Sequence, residues 1–133
     1  MKNWRDIKYC QDEVFGDLNL VYADFCLLIK ESKHVTIANG DISIEYLSYK
    51  FNSKHCFVFN DSKPKIRVKF ETTSLDDENL FFDIFLNRNG IIDTEYSKEL
   101  NGHSLDLMKH ENIESNLAKM IFGFFEKNKL LGE

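Results

Sequence analysis

Between Ile42 and Glu71 the chain alternates apolar and polar residues in three runs, ISIEYLSYKF, HCFVF and KIRVKFE, separated by the short polar segments NSK and NDSKP. Alternation at period two is what a strand with one buried face requires, because successive side chains point to opposite sides. The runs predict an antiparallel meander over 42–71. In the third run Ile66, Val68 and Phe70 share one face, and Lys65, Arg67 and Lys69 share the other. In the second, His55, Phe57 and Phe59 oppose Cys56 and Val58. The first run changes phase: Ile42, Ile44 and Tyr46 lie on one face, but Leu47, Tyr49 and Phe51 lie on the opposite one. A single strand here must be covered on both faces or bulge near Tyr46.

The flanks add elements of both kinds. Residues 1–16, with Trp4, Ile7 and Val14, suit a short helix or an extended arm against the sheet. From Leu18 to Lys30, the set Leu18, Tyr22, Phe25 and Ile29 has helical spacing. The denser set Leu20, Val21, Ala23, Phe25, Leu27 and Ile29 suits a strand buried on both faces, and the polar break Glu31–Lys33 before HVTIA favours that strand and a hairpin. Asn39–Gly40 is a turn signal. Leu80–Asn87 and Ile91–Tyr96 are apolar runs joined through Asn89–Gly90, which predicts a hairpin over 80–96 with a type I′ turn. From about residue 111 the period changes: Ile113, Leu117, Met120, Ile121, Phe124 and Phe125 form one helical stripe. The helix so predicted is long, about 111–130, and Gly123 within it implies close approach to a neighbour, because glycine weakens a helix by about 1 kcal/mol relative to alanine. Strands followed by a helix give an α+β fold: a single domain over 1–133, with an antiparallel sheet of five to seven strands covered by the C-terminal helix.

Composition fits this class. The chain has 133 residues, 43% of them hydrophobic, with 12 Phe and a single Pro, Pro64. A chain of this size buries enough apolar surface to fold without disulfides or metal. Its cysteines, Cys10, Cys26 and Cys56, are odd in number and lack metal or redox spacing. The N-terminus has no signal-peptide core, and no apolar run approaches the roughly 20 residues a membrane helix needs, so the expected location is cytoplasmic with no membrane association.

Charge changes the picture most. The net charge is −5, but residues 1–70 carry 11 Lys/Arg against 9 Asp/Glu, whereas residues 71–114 carry 3 against 11. An acidic surface of that kind attracts basic partners and speeds encounter. The candidate binding residues are Asp76, Asp77, Glu78, Asp93, Glu95, Tyr96, Glu99, Asp106, Glu111 and Glu114. Tyr96, with Tyr46, Tyr49 and Trp4, is of the residue types that anchor interfaces. Phe81 and Phe85, flanking Asp83, are further aromatic candidates, while most Phe residues belong to a core. The stripe Lys63, Lys65, Arg67 and Lys69 reads as an outward strand face whose lysines discourage edge pairing; an acidic chain opposes direct nucleic-acid binding. His103, Asp106, His110 and Glu114 are the one group with metal or acid–base potential, but their spacing matches no zinc motif. There is no glycine-rich phosphate loop and no nucleophile elbow. The expectation is a non-enzymatic protein with no metal or cofactor.

A small, acidic, aromatic-rich α+β chain without catalytic motifs resembles the immunity proteins of bacterial toxin–immunity pairs, such as those of contact-dependent growth inhibition. The resemblance covers size, charge and texture. It implies a protein that binds a cognate toxin domain one to one and covers its active site, a nuclease cleft in many such pairs. Two alternatives stay open: an adaptor or phage-type inhibitor of a nucleic-acid-binding protein, and a ligand-binding domain with a Phe-lined pocket.

Overall fold

The computed structural model describes residues 4–60, 62–96, 98, 100–106 and 113–130, with side chains from Glu13 onward. The chain forms α1 (Trp4–Ile29), β1 (Val35–Ala38), β2 (Asp41–Tyr46), β3 (Tyr49–Asn60), β4 (Lys63–Thr73), β5 (Asn79–Asn87), β6 (Ile91–Thr94), β7 (His103–Ser104) and α2 (Ile113–Lys127). The strands pair antiparallel in chain order, giving one seven-stranded sheet. The α+β class and the antiparallel sheet agree with the sequence pattern. The proportions of the helices do not: α2 has 15 residues, and the long helix is the N-terminal one, with 26.

Leu18–Ile29 is helical, not a strand. Its helically spaced set Leu18, Tyr22, Phe25 and Ile29 is buried together with Val21 and Leu28, while Leu20 and Leu27 are exposed at 68% and 55%. Those two leucines made the run dense enough to suggest a strand. They lie on the helix's solvent side.

The phase change after Tyr46 is a hairpin turn. Tyr46 pairs directly with Tyr49, and only Leu47 and Ser48 lie between them. A two-residue connection reverses which residues, odd or even, face the core, so Ile44 and Phe51 meet on one face although their parity differs. Both turn residues are left-handed, with φ of 48° and 71°, a conformation that Asn and Gly adopt at less cost. Without either residue the turn had no local signature. The NSK segment, expected as a turn, runs straight through β3, where buried Ser53 accepts a 2.8 Å hydrogen bond from the Ile42 amide. At the β5–β6 connection Gly90 is left-handed (φ 79°) but Asn89 is not, and the Gly90 amide donates to the Asn87 carbonyl at 3.0 Å. This is a three-residue loop with a glycine bulge in place of the expected type I′ turn. Tyr96 falls beyond β6, in a turn.

One sheet face carries the core. Ile44, Phe51, Phe70, Phe82, Val68, Ile84, Ile66 and Leu86 follow one another across the paired strands and are all buried. α1 lies over β4 and β5. α2 inserts Phe124 and Phe125 against Phe51, with centroids at 5.4 and 6.2 Å, and Phe124 also meets Phe82 and Tyr96. Burying each such ring contributes about 1.5–3 kcal/mol. The phenylalanines thus pack on one another. Gly123 is where α2 touches the sheet layer: a Cβ there would collide with the Tyr96 carbonyl oxygen. This is the close approach its helical position implied.

Two substitutions test this account. Gly123→Ala should destabilise the protein by about 1–3 kcal/mol, the usual cost of overpacking, read as a lower urea midpoint with an unchanged m-value. Replacing Leu47 and Ser48 with Asn and Gly should stabilise it by about 1–2 kcal/mol, because a left-handed residue other than Gly or Asn costs about that much. An unchanged melting temperature would contradict the strain assigned to this turn.

Candidate interaction surface

The opposite face of the sheet carries neither helix. Its residues are Lys50, Asn52, Lys54, Cys56 and Val58 of β3, Lys65, Arg67, Lys69 and Glu71 of β4, Phe81, Asp83 and Phe85 of β5, and Asp93 of β6. The basic stripe points outward as its alternation required. However, β4 is the central strand, so its lysines guard no edge. Arg67 and Lys69 are engaged in ion pairs instead, and Lys65 donates to the Asn60 side chain at 2.9 Å. Arg67 grips Asp83 with two hydrogen bonds, at 2.7 and 3.1 Å. Glu71 accepts from Lys69 at 3.2 Å and lies 3.6 Å from Lys54; the Lys69 hydrogen bond, followed by the charge of Lys54, holds its carboxyl below the usual range. The Lys69 ammonium sits 4.4 Å from the centre of the Phe81 ring, which is 48% exposed.

Two open depressions mark this face. One, of about 500 Å³, is lined by Lys50, Asn52, Lys69, Glu71 and Phe81. The other, of about 480 Å³, is lined by Asn60, Asp83, Phe85, Asp93, Glu95 and Asn101. Both are walled mainly by polar and charged groups, unlike the Phe-lined cavity of a ligand-binding domain.

The acidic candidates among the described residues are spread over several elements. Asp76, Asp77 and Glu78 are exposed on the β4–β5 loop. That loop is a defined turn: the Ser74 amide donates to the Glu78 carbonyl at 2.9 Å, Asp77 donates back to the Ser74 carbonyl at 3.0 Å, and the Ser74 hydroxyl accepts from the Glu78 amide at 3.1 Å. None of the three carboxylates enters an ion pair among the described residues. Beside them Leu75 is 92% exposed. An apolar residue inside the polar segment ETTSLDDEN was the visible signal for it, and charge counting passed over it.

The remaining candidates are dispersed. Asp93 and Glu95 share the second depression, with Glu95 paired to Lys127 of α2 at 3.4 Å. Tyr96 is not an exposed anchor: its ring packs edge-on to Phe82 and Phe124, with Lys127 5.0 Å from its centre. Tyr46 and Tyr49 likewise pack on Phe122 and Phe125. Asp106 is exposed after β7. Glu99, Glu111 and His110 lie outside the described residues, as does the Trp4 side chain.

Glu114 has a structural role. It stands in the first turn of α2, where a carboxylate is favoured by the helix dipole. It accepts the Lys33 amide at 2.8 Å and lies 3.7 Å from His34, which stacks on Tyr46 at 4.0 Å. This ties the α1–β1 connection to the start of α2. Partial burial opposes its ionisation, but the Ser32 hydroxyl, the Lys33 amide and the charge of His34 outweigh that and hold the carboxyl below its ordinary 4.5. Among the described residues no cluster of His, Cys, Asp and Glu could hold a metal ion, and no helix is long and apolar enough to cross a membrane. No family model, curated protein or solved structure matches the chain.

The linkage at Glu114 has a definite sign. A carboxyl held below its unfolded value stabilises the fold above that value and ceases to do so as pH falls through the folded value. Glu114→Gln should therefore be less stable than the parent at pH 7, by about 0.5–1.5 kcal/mol after solvent screening. Urea midpoints of the two proteins should converge on acidification below the ordinary carboxylate range. A constant gap across pH would assign the loss to packing.

Proposed function

We propose that the protein is a non-enzymatic inhibitor of the immunity type, which binds a basic toxin domain and keeps it from its substrate. One observation carries this reading: the Ser74–Glu78 turn presents an almost fully exposed leucine within three carboxylates that no cation among the described residues neutralises. A leucine held out of the core, on a turn fixed by three hydrogen bonds, is a preformed apolar anchor. Unneutralised acids around it steer a cationic partner and set its orientation. A nuclease cleft that binds phosphate is such a partner, because carboxylates can occupy the positions of phosphate oxygens. The adjacent depression with Phe81 and Lys69 extends the surface, and Arg67 and Lys69 of the central strand are already paired with Asp83 and Glu71. Asp93 and Asp106 are secondary contributors. Tyr96, packed on Phe82 and Phe124, and Glu114, bonded to the Lys33 amide, are not proposed to contact the partner, and Glu95 is engaged by Lys127 on the surface. The cytoplasmic site of action is part of the same proposal.

The natural test uses the C-terminal domain of the protein encoded by the adjacent upstream gene as the immobilised partner. Reversing Asp76, Asp77 and Glu78 to Lys should slow association about 10–100-fold at low ionic strength, with the deficit shrinking as salt screens the field. Leu75→Ala should instead raise the dissociation rate, since apolar anchors act after encounter. Unchanged kinetics in both variants would remove this turn from the interface. Absence of any toxic activity in that domain would remove the immunity reading itself.

A further inference from the structure

β3 outruns the strand beside it. With Ser43 paired to Asn52, the start of β2 at Asp41 falls level with Lys54, yet β3 continues to Asn60. Past that level the β2 side of β3 is open, and the turn at Gly40, whose carbonyl accepts the Tyr22 hydroxyl, closes the gap at His55. The connection between Asn60 and Lys63 has two residues, so these form a hydrogen-bonded pair. Alternation along the antiparallel ladder then turns the amides of Val58 and Cys56 toward β4 and those of Phe57 and Phe59 away from it. Among the described residues no backbone group bonds to Phe57 or Phe59 on that side.

Exposed edges are normally blunted by charge, proline or a bulge. Here the overhang reads HCFVFN, with no formal charge and no proline. Phe57 and Phe59 are 44% and 72% exposed, and Phe57 continues into an apolar patch through Phe15, at 4.6 Å between ring centres. We propose that this overhanging edge pairs with the same edge of a second copy of the chain.

The sequence is suited to that occupant because Phe57–Val58–Phe59 reads the same in both directions. A two-fold axis through Val58 and normal to the sheet sets Phe57 opposite Phe59 of the other copy, and Val58 opposite its own counterpart. Cys56 then faces Asn60. Each copy supplies the outward amides and carbonyls of Phe57 and Phe59, so every group in the gap finds a partner, as an isologous interface requires. No like charges are brought opposite each other; Lys54 lies beyond the paired stretch. The axis keeps the helices of both copies on one side; α1 reaches the core side of the overhang through Phe15 on Phe57 and Tyr22 on His55, while Phe59, 72% exposed, and the outward edge of the backbone stay open. The outcome is one continuous sheet with cross-strand aromatic pairs at its centre.

Sedimentation velocity from about 1 to about 200 µM, the range in which small interfaces associate, tests the proposal. The parent protein should pass from monomer to dimer. Phe59→Lys and Phe59→Pro should both stay monomeric with unchanged circular dichroism; the proline removes an outward amide only and leaves the β3–β4 ladder intact. In the parent, hydrogen exchange at Phe57 and Phe59 should be slow at the high concentration and fast at the low one. A monomer throughout the range overturns the proposal. So does a dimer that survives both variants, or one that leaves these two amides unprotected. A monomeric parent whose toxin-domain complex is lost in Phe59→Lys would assign the edge to a foreign strand and likewise overturn self-pairing.

Discussion

The fold depends on how closely α2 can approach the turn after β6. Gly123 lets the helix backbone rest against the Tyr96 carbonyl, and only at that distance do Phe124 and Phe125 reach the rings of Phe51 and Phe82. Those rings come from strands that are distant in the chain, so their meeting fixes the register of the sheet and the seat of the helix together. The Glu114 carboxylate, bonded to the Lys33 amide, holds the other end of the same helix to the α1–β1 connection. One helix is thereby fixed at both ends, by a steric contact at one and a charge-assisted hydrogen bond at the other.

With both helices on one face, the other face is left to charged and aromatic side chains. Its central residues satisfy each other, Arg67 with Asp83 and Lys69 with Glu71 and Phe81. Such partly exposed pairs contribute little to stability, but they offset the charges of Arg67 and Lys69 within the basic stripe. The acids of the turn after β4, at one end of the strands, have no ion-pair partner among the described residues. The charge asymmetry along the chain is therefore local in space. It is concentrated on a turn at one end of the sheet and spread thinly elsewhere, and a partner would meet an edge of the molecule before its face.

The unequal lengths of β2 and β3 have a similar consequence. The β1–β2 hairpin is too short to pair with the outer half of β3, and α1 touches that half only from the core side, through Phe15 and Tyr22. An uncharged, aromatic stretch of backbone is left without a neighbour. The acidic turn lies at one end of the strands and this open edge at the other, so association through the edge would leave the turn accessible.

Much of this was legible in the alternation. Ile66, Val68 and Phe70 against Lys65, Arg67 and Lys69 identified the covered and bare faces of β4, and the stripe ending in Phe124 and Phe125 located α2 to within a few residues. The parity change at Tyr46 was also visible, but a turn of Leu and Ser has no local signature, so only pairing across the hairpin shows it to be a turn. Leu20 and Leu27 concealed α1, because an exposed leucine cannot be told from a buried one until the helix has a side to turn away. The site divides in the same way. The sequence determined that Asp76–Glu78 would be acidic, polar and looped, since composition alone decides that. The tertiary structure alone decided that Glu114 and Tyr96 are spent inside the fold, that Leu75 is displayed, and that β3 overhangs its neighbour, because each depends on residues far away in the chain.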